Sequence, residues 1–275
     1  MTGERYRMTR PAFDVISTFG CLDALELPGS VIVALLVDRG YTASNVRNQI
    51  ARLMHRDLLC RRREGPHAIY WLSERLAGQF RRAGGRVPTP PFTGTFSQLL
   101  YLVPEEQRGF KDRLLYLAES RGYGRLRSGV LIAPADRSES VRGLLGPVPA
   151  GAWLQSCRLV TDDRDQAREL IDRAFRLSES DAALTQLEDR FLQREAQARA
   201  GRRLDAQGHF DLHYDAAGTV FRIPSVPAEF LVRELPGRAS ALMQALSQHY
   251  ARWIRPHDLA LVSDLPAAGL IRRRS

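Results

Sequence analysis

The stretch Gly40-Tyr41-Thr42-Ala43-Ser44-Asn45-Val46-Arg47-Asn48-Gln49-Ile50-Ala51-Arg52-Leu53-Met54-His55 decides how the first third of the chain folds. Val46, Ile50, Leu53 and Met54 recur at three- and four-residue spacing, which places them on one face of a helix. Ser44 is suited to cap that helix, and Gly40 supplies a turn ahead of it. Asn45, Arg47, Asn48, Ala51, Arg52 and His55 then fall on the outer face. Arg offers a fork to guanine edges, Asn bonds adenine edges, and a small Ala permits close approach to a thymine methyl. On these residues alone, an ordinary solvated helix face is an equal alternative.

Working outward shifts that balance. Upstream, Phe13, Ile16, Phe19 and Leu22 are spaced by three, so residues 11–25 read as a helix with Pro11 in its first turn. Pro28, Gly29 and Ser30 break the pattern before a second short helix over 31–38. Downstream, two short apolar-containing runs, 58–62 and 68–72, flank Glu64, Gly65 and Pro66, a hairpin signal. Arg61, Arg62 and Arg63 run into the tip beside His67, where a basic wing would meet a DNA backbone. A helix over 73–83 closes the domain, and Gly84, Gly85, Pro88, Pro90, Pro91 and Gly94 mark a linker. Helix, turn, helix and basic wing in that order predict a winged helix-turn-helix over residues 1–88. The expected DNA-binding residues are Ser44, Asn45, Arg47, Asn48, Arg52, Arg61, Arg62, Arg63 and His67.

Beyond the linker, strands and helices alternate: a strand over 96–103, a helix over 105–121, a strand over 129–133, a helix over 138–145 and a strand over 153–160. With a further strand at 125–127, this outlines a ferredoxin-like α+β middle domain over 89–163. Residues 164–275 read as a mainly helical C-terminal domain, with helices over 166–177, 180–200 and 239–254, a loop or short hairpin over 201–226, and a frayed tail carrying Arg272, Arg273 and Arg274. The fold class is α+β.

The charge distribution agrees with one polyanion-binding domain. Of a net +9, residues 1–88 carry 14 basic against 8 acidic side chains, residues 89–178 carry 13 against 11, and residues 179–275 carry 13 against 12. Two thirds of the excess therefore lies in the first third. Lys111 is the only lysine among 40 basic residues, a bias that a GC-rich genome also produces, so the charge alone is weak evidence. Cys21, Cys60 and Cys157 are scattered without metal-type spacing, which predicts free thiols and no zinc site. The longest early apolar run, 31–37, is too short to span a bilayer, and no signal-type block follows the N-terminus, so a cytoplasmic protein is expected.

Several short motifs together resemble one family. Val46-Arg47-Asn48-Gln49-Ile50-Ala51-Arg52-Leu53 with Leu58-Leu59 and Ile69-Tyr70-Trp71-Leu72-Ser73 looks like the winged-helix half of the PaaX-like transcriptional regulators, repressors of phenylacetate catabolism and their relatives. Gly122-Tyr123-Gly124-Arg125-Leu126 and Gly129-Val130-Leu131-Ile132-Ala133-Pro134 are similar to the family's middle segments. Leu235-Pro236-Gly237 is similar to its C-terminal segment. The resemblance implies operator DNA as partner, a homodimer, and release by a small-molecule effector such as an acyl-CoA, whose binding residues it does not locate. It also implies a middle domain similar to the small CRISPR-associated endonucleases. The family's Trp after the linker has no counterpart here, Phe92 and Phe96 being the nearest aromatic residues.

The competing reading is a metal-dependent nuclease on the middle domain. Those endonucleases need a carboxylate at the end of the first strand, where this chain has Leu102, and Glu105 and Glu106 beyond it suit a helix N-terminus. His209 and His213 lie in a strand-like alternation, where i and i+4 are about 13 Å apart, too far to share a metal. Gly122, Gly124 and Gly129 do not form a phosphate loop. The expectation is therefore a regulator with no catalytic or metal residues and no cofactor. An interaction module using its winged helix on protein is the third class.

Overall fold

The computed structural model describes residues 8–74, 76, 91–202, 204–223, 226–231 and 234–273. The chain divides into two compact units, one of Met8–Gly85, Leu184–Val220 and Gly237–Ser275, the other of Met1–Arg7, Arg86–Ala183 and Phe221–Pro236. The architecture is α+β, with two four-stranded antiparallel sheets. Residues 164–275 are shared between the two units. Among the described residues, no helix is long and apolar enough to cross a membrane.

In the first unit, α1 (Arg10–Cys21) stops earlier than its apolar spacing predicts, because Asp23 takes a left-handed φ of 54° and redirects the chain into β1 (Ala24–Pro28). Helix α2 (Gly29–Asp38) buries Val31, Ile32, Leu35 and Leu36. It closes at Gly40, whose φ of 89° lets Gly40 N donate to Val37 O at 2.9 Å and Tyr41 N to Leu36 O at 3.0 Å. This paired closure needs a left-handed residue, the role glycine fills without a Cβ penalty. Helix α3 (Ala43–His55) follows immediately. Its cap is Thr42, whose side chain accepts from Asn45 N at 3.2 Å, so Ser44 is not the cap but sits in the first turn.

Strands β2 (Leu59–Glu64) and β3 (His67–Leu72) form the predicted hairpin, in register Arg61 to Tyr70 and Glu64 to His67. The sheet is wider than a hairpin, with order β2-β3-β1-β8. Its last strand, β8 (Arg272–Arg273), comes from the tail that the sequence reading leaves frayed. Most of the helix expected over 73–83 and most of the linker lie outside the described residues.

In the second unit, β4 (Thr95–Leu102), α4 (Arg108–Ser120), β5 (Gly124–Arg127), β6 (Val130–Ala133), α5 (Ser138–Leu145) and β7 (Trp153–Val160) build a sheet of order β5-β6-β4-β7. Leu99, Tyr101, Leu131 and Ala133 pack with Leu114, Ala118, Val141 and Leu145 of the two helices. Helix α6 (Arg164–Phe175) lies against β5. A Cβ on Gly124 would come within 2.8 Å of the Ala174 carbonyl oxygen, so the close strand-to-helix approach requires glycine there. Phe92 packs at 4.6 Å from Phe96 and 5.3 Å from Phe230 between ring centroids, so two phenylalanines fill the place after the linker.

The remaining helices are α7 (Leu177–Arg199), α8 (Ala206–Arg222), α9 (Leu235–Trp253) and α10 (Arg255–Ser263). Most of the expected loop over 201–226 is thus the helix α8. Val262 of α10 is buried in the same core as Phe19, Leu27, Leu36, Val46 and Leu53.

Candidate nucleic-acid interface

Helix α3 is held by Val46, Ile50 and Leu53, all buried, and by Gln49, which is also turned inward. That leaves Ser44, Asn45, Arg47, Asn48, Ala51, Arg52 and His55 exposed on one face. Neither Arg47 nor Arg52 has an ion-pair partner among the described residues. Two guanidiniums and two carboxamides are therefore free to bond an incoming partner.

The helix is joined rigidly to the hairpin. Leu58 N donates to Leu53 O at 2.9 Å, Asp57 turns the chain at a φ of 53°, and Ser73 Oγ donates to Asp57 O at 2.7 Å. The hairpin then separates its three arginines, because successive strand residues point to opposite faces. Arg61 and Arg63 are exposed and unpaired among the described residues. Arg62 points the other way, toward Glu26 Oε2 at 2.6 Å and Glu64 Oε2 at 2.9 Å. Its pairing with Glu26, foremost, and Glu64 raises its pKa. Arg62 therefore already has two anionic partners, which Arg61 and Arg63 lack among the described residues. His67 is half-buried at the start of β3, opposite Glu64.

Two basic residues of this sheet escape a sequence reading. Arg272 and Arg273 on β8 are exposed at the edge opposite β2, and Arg272 Nη1 lies 3.7 Å from Glu26 Oε1. Only the run of three arginines at the end of the sequence hinted at them.

The histidine pair also differs from expectation. His209 and His213 lie on a helix, with ring centroids 6.2 Å apart, and not on a strand. Burial presses both toward the neutral form, lowering His209 to about 2 and His213 to about 4. His209 stacks on His249 at 5.7 Å, and His249 Nδ1 lies 2.6 Å from Glu195 Oε2. In the second unit, Leu102 at the end of β4 is 67% exposed and paired in register with Trp153. Among the described residues, the trio of His and acidic groups close enough to share a metal is Asp38, His257 and Asp258, all in the first unit.

No protein-family model matches the chain, and no curated protein matches it. Among solved structures, its fold is similar to that of the uncharacterized protein Rv0674 from Mycobacterium tuberculosis, with a TM-score of 0.51 and 20% identity over 83% of this chain and 90% of that one.

Proposed function

We propose that the protein is a sequence-specific DNA-binding transcriptional regulator, a homodimeric repressor released by a small molecule. In this reading α1, α2, α3 and the β2–β3 hairpin are a winged helix-turn-helix. Helix α3 enters the major groove and the hairpin follows the backbone. The observation that carries the reading is the outer face of α3, where Asn45, Arg47, Asn48 and Arg52 stand exposed while Val46, Ile50 and Leu53 anchor the helix. Arg61 and Arg63 on the adjoining hairpin, exposed and unpaired among the described residues, support it. The β-α-β-β-α-β order of the second unit, with strand order β5-β6-β4-β7, supports a ferredoxin-like sandwich in the middle of the chain. Exposed Trp153 and Val160 on the edge strand β7 offer a surface for pairing of subunits.

The test is footprinting of the DNA upstream of the protein's own operon, followed by titration of the protected fragment. Protection at a defined site, and loss of about 1 to 3 kcal/mol of binding free energy in Arg47→Ala, are expected. Binding unchanged by both Arg47→Ala and Arg52→Ala would remove α3 as the reader.

A further inference from the structure

We infer that the first unit holds a divalent transition-metal site formed by Asp38, His257 and Asp258. The three residues come from the end of α2 and the start of α10, and each offers one ligand atom within 4.8 Å of the others. His257 Nε2 and Asp38 Oδ2 are 3.1 Å apart. Two ligands of a tetrahedral ion with bonds of about 2.0 Å lie roughly 3.3 Å from each other, so this spacing already suits one edge of a coordination shell. The set combines one imidazole and two carboxylates. An imidazole ligand favours zinc and its first-row neighbours over magnesium or calcium, which take all-oxygen shells.

Asp258 supplies an independent reason. It is fully buried, and its Oδ2 accepts from both Arg39 and Tyr250. Its Oδ1 is buried without a hydrogen-bond partner among the described residues. A buried carboxylate oxygen whose lone pairs meet no donor is costly, and a cation is one of the groups that satisfies it. The charges permit one: the carboxylates of Asp38 and Asp258 against the guanidinium of Arg39 leave a formal −1 for a divalent ion to offset. Asp38 ends α2, where the helix dipole also favours positive charge.

Beside the cluster lies a cleft of about 540 Å³ lined by Asp38, His257, Arg202, Asp205, Gln207 and Trp253. Three protein ligands leave at least one coordination position for water or a small donor, and this cleft gives it access. An ion here would bind α2 to α10 directly ahead of Gly40 and the α3 cap. The inference does not depend on the protein binding DNA.

The experiment uses the full chain, stripped with chelator and titrated with zinc chloride by calorimetry, with cobalt(II) absorption as a second readout. One ion per chain and a raised thermal midpoint are expected. Asp38→Asn and His257→Ala, both at exposed positions, should each weaken binding at least tenfold and abolish the tetrahedral cobalt spectrum, while the metal-free urea midpoint stays at the wild-type value. Absence of stoichiometric binding overturns the site. So does binding that survives both substitutions, which would locate the ion on other residues such as His209, His213 and His249.

Discussion

Arg62 reaches across the sheet to Glu26, with Nη1 and Oε2 2.6 Å apart, while its sequence neighbours Arg61 and Arg63 face solvent from the other side of β2. The three therefore differ in what they can give to a phosphate backbone. Arg61→Ala and Arg63→Ala should each reduce the magnitude of the log-log salt slope of DNA binding by about one unit. Arg62→Ala should change it less, since its cation is already neutralised within the sheet. Salt titrations of the three variants decide this, and equal slope losses would mean that Arg62 leaves Glu26 on binding.

The cap of α3 gives a second test. Thr42→Ala removes the acceptor of the Asn45 N–H and should cost about 1 kcal/mol of stability. Ser44→Ala, one residue inside the helix, should be neutral or slightly stabilising, because Ala is the better helix former. Urea unfolding of both variants reports the difference. A larger loss for Ser44→Ala would shift the cap back to the residue that sequence reading favours.

Stability should fall on mild acidification. An unfolded histidine titrates near 6.5, whereas burial holds His209 at about 2 and His213 at about 4. Below the unfolded value the denatured chain takes up protons that the native state refuses. Their contribution is complete above pH about 6.5 and is lost as pH falls toward 4 and then 2. Each histidine should contribute a slope of up to about 1.4 kcal/mol per pH unit over its window. Urea midpoints at pH 7 and pH 5 measure it, with His213→Gln expected to flatten the decline. Identical midpoints at both pH values would contradict the neutral, buried assignment.

An effector should act by linkage. A hundredfold release of DNA requires the ligand to prefer the DNA-incompetent arrangement by about 2.7 kcal/mol. A panel of acyl-CoA thioesters and aromatic acids, titrated into the protein bound to its protected fragment, should contain a compound that lowers affinity by that order. If none does, the proposed release by a small molecule is overturned.

Legibility followed the strength of the local pattern. Helix α5 at Ser138–Leu145 and strand β7 at Trp153–Val160 coincide with their sequence readings, since the three- and four-residue burial spacing of the first and the nearly regular alternation of the second lie between clear stops. The exposed face of α3 was readable because its buried face is strictly apolar apart from Gln49. Helix α8 was hidden by Phe210, Leu212 and Tyr214, whose alternation mimics a strand. Its buried set, His209, Phe210, Leu212, Ala216, Ala217 and Thr219, covers so much of the circumference that helical periodicity blurs. Strand alternation alone could have separated Arg62 from Arg61 and Arg63, but its anionic partner Glu26 lies on a strand that the sequence reading does not contain, its first two residues being read as the end of a helix. Asp38 and Asp258 are 220 positions apart, and no local pattern joins them.

The pairing of β1 with β8 has a consequence for how the protein is made. Residues 24–28 emerge from the ribosome long before residues 272–273, with more than 240 positions between Pro28 and Arg272. At roughly 5 to 20 residues per second, one edge of β1 waits on the order of 10 to 50 s for its neighbour. Val262 joins the core of the first unit almost as late. Through that interval β1 lacks one strand neighbour and the core lacks Val262, so chaperone dependence and aggregation during synthesis should concentrate on the segment around residues 24–28, and a stop codon placed before residue 262 should damage that earlier-made segment most.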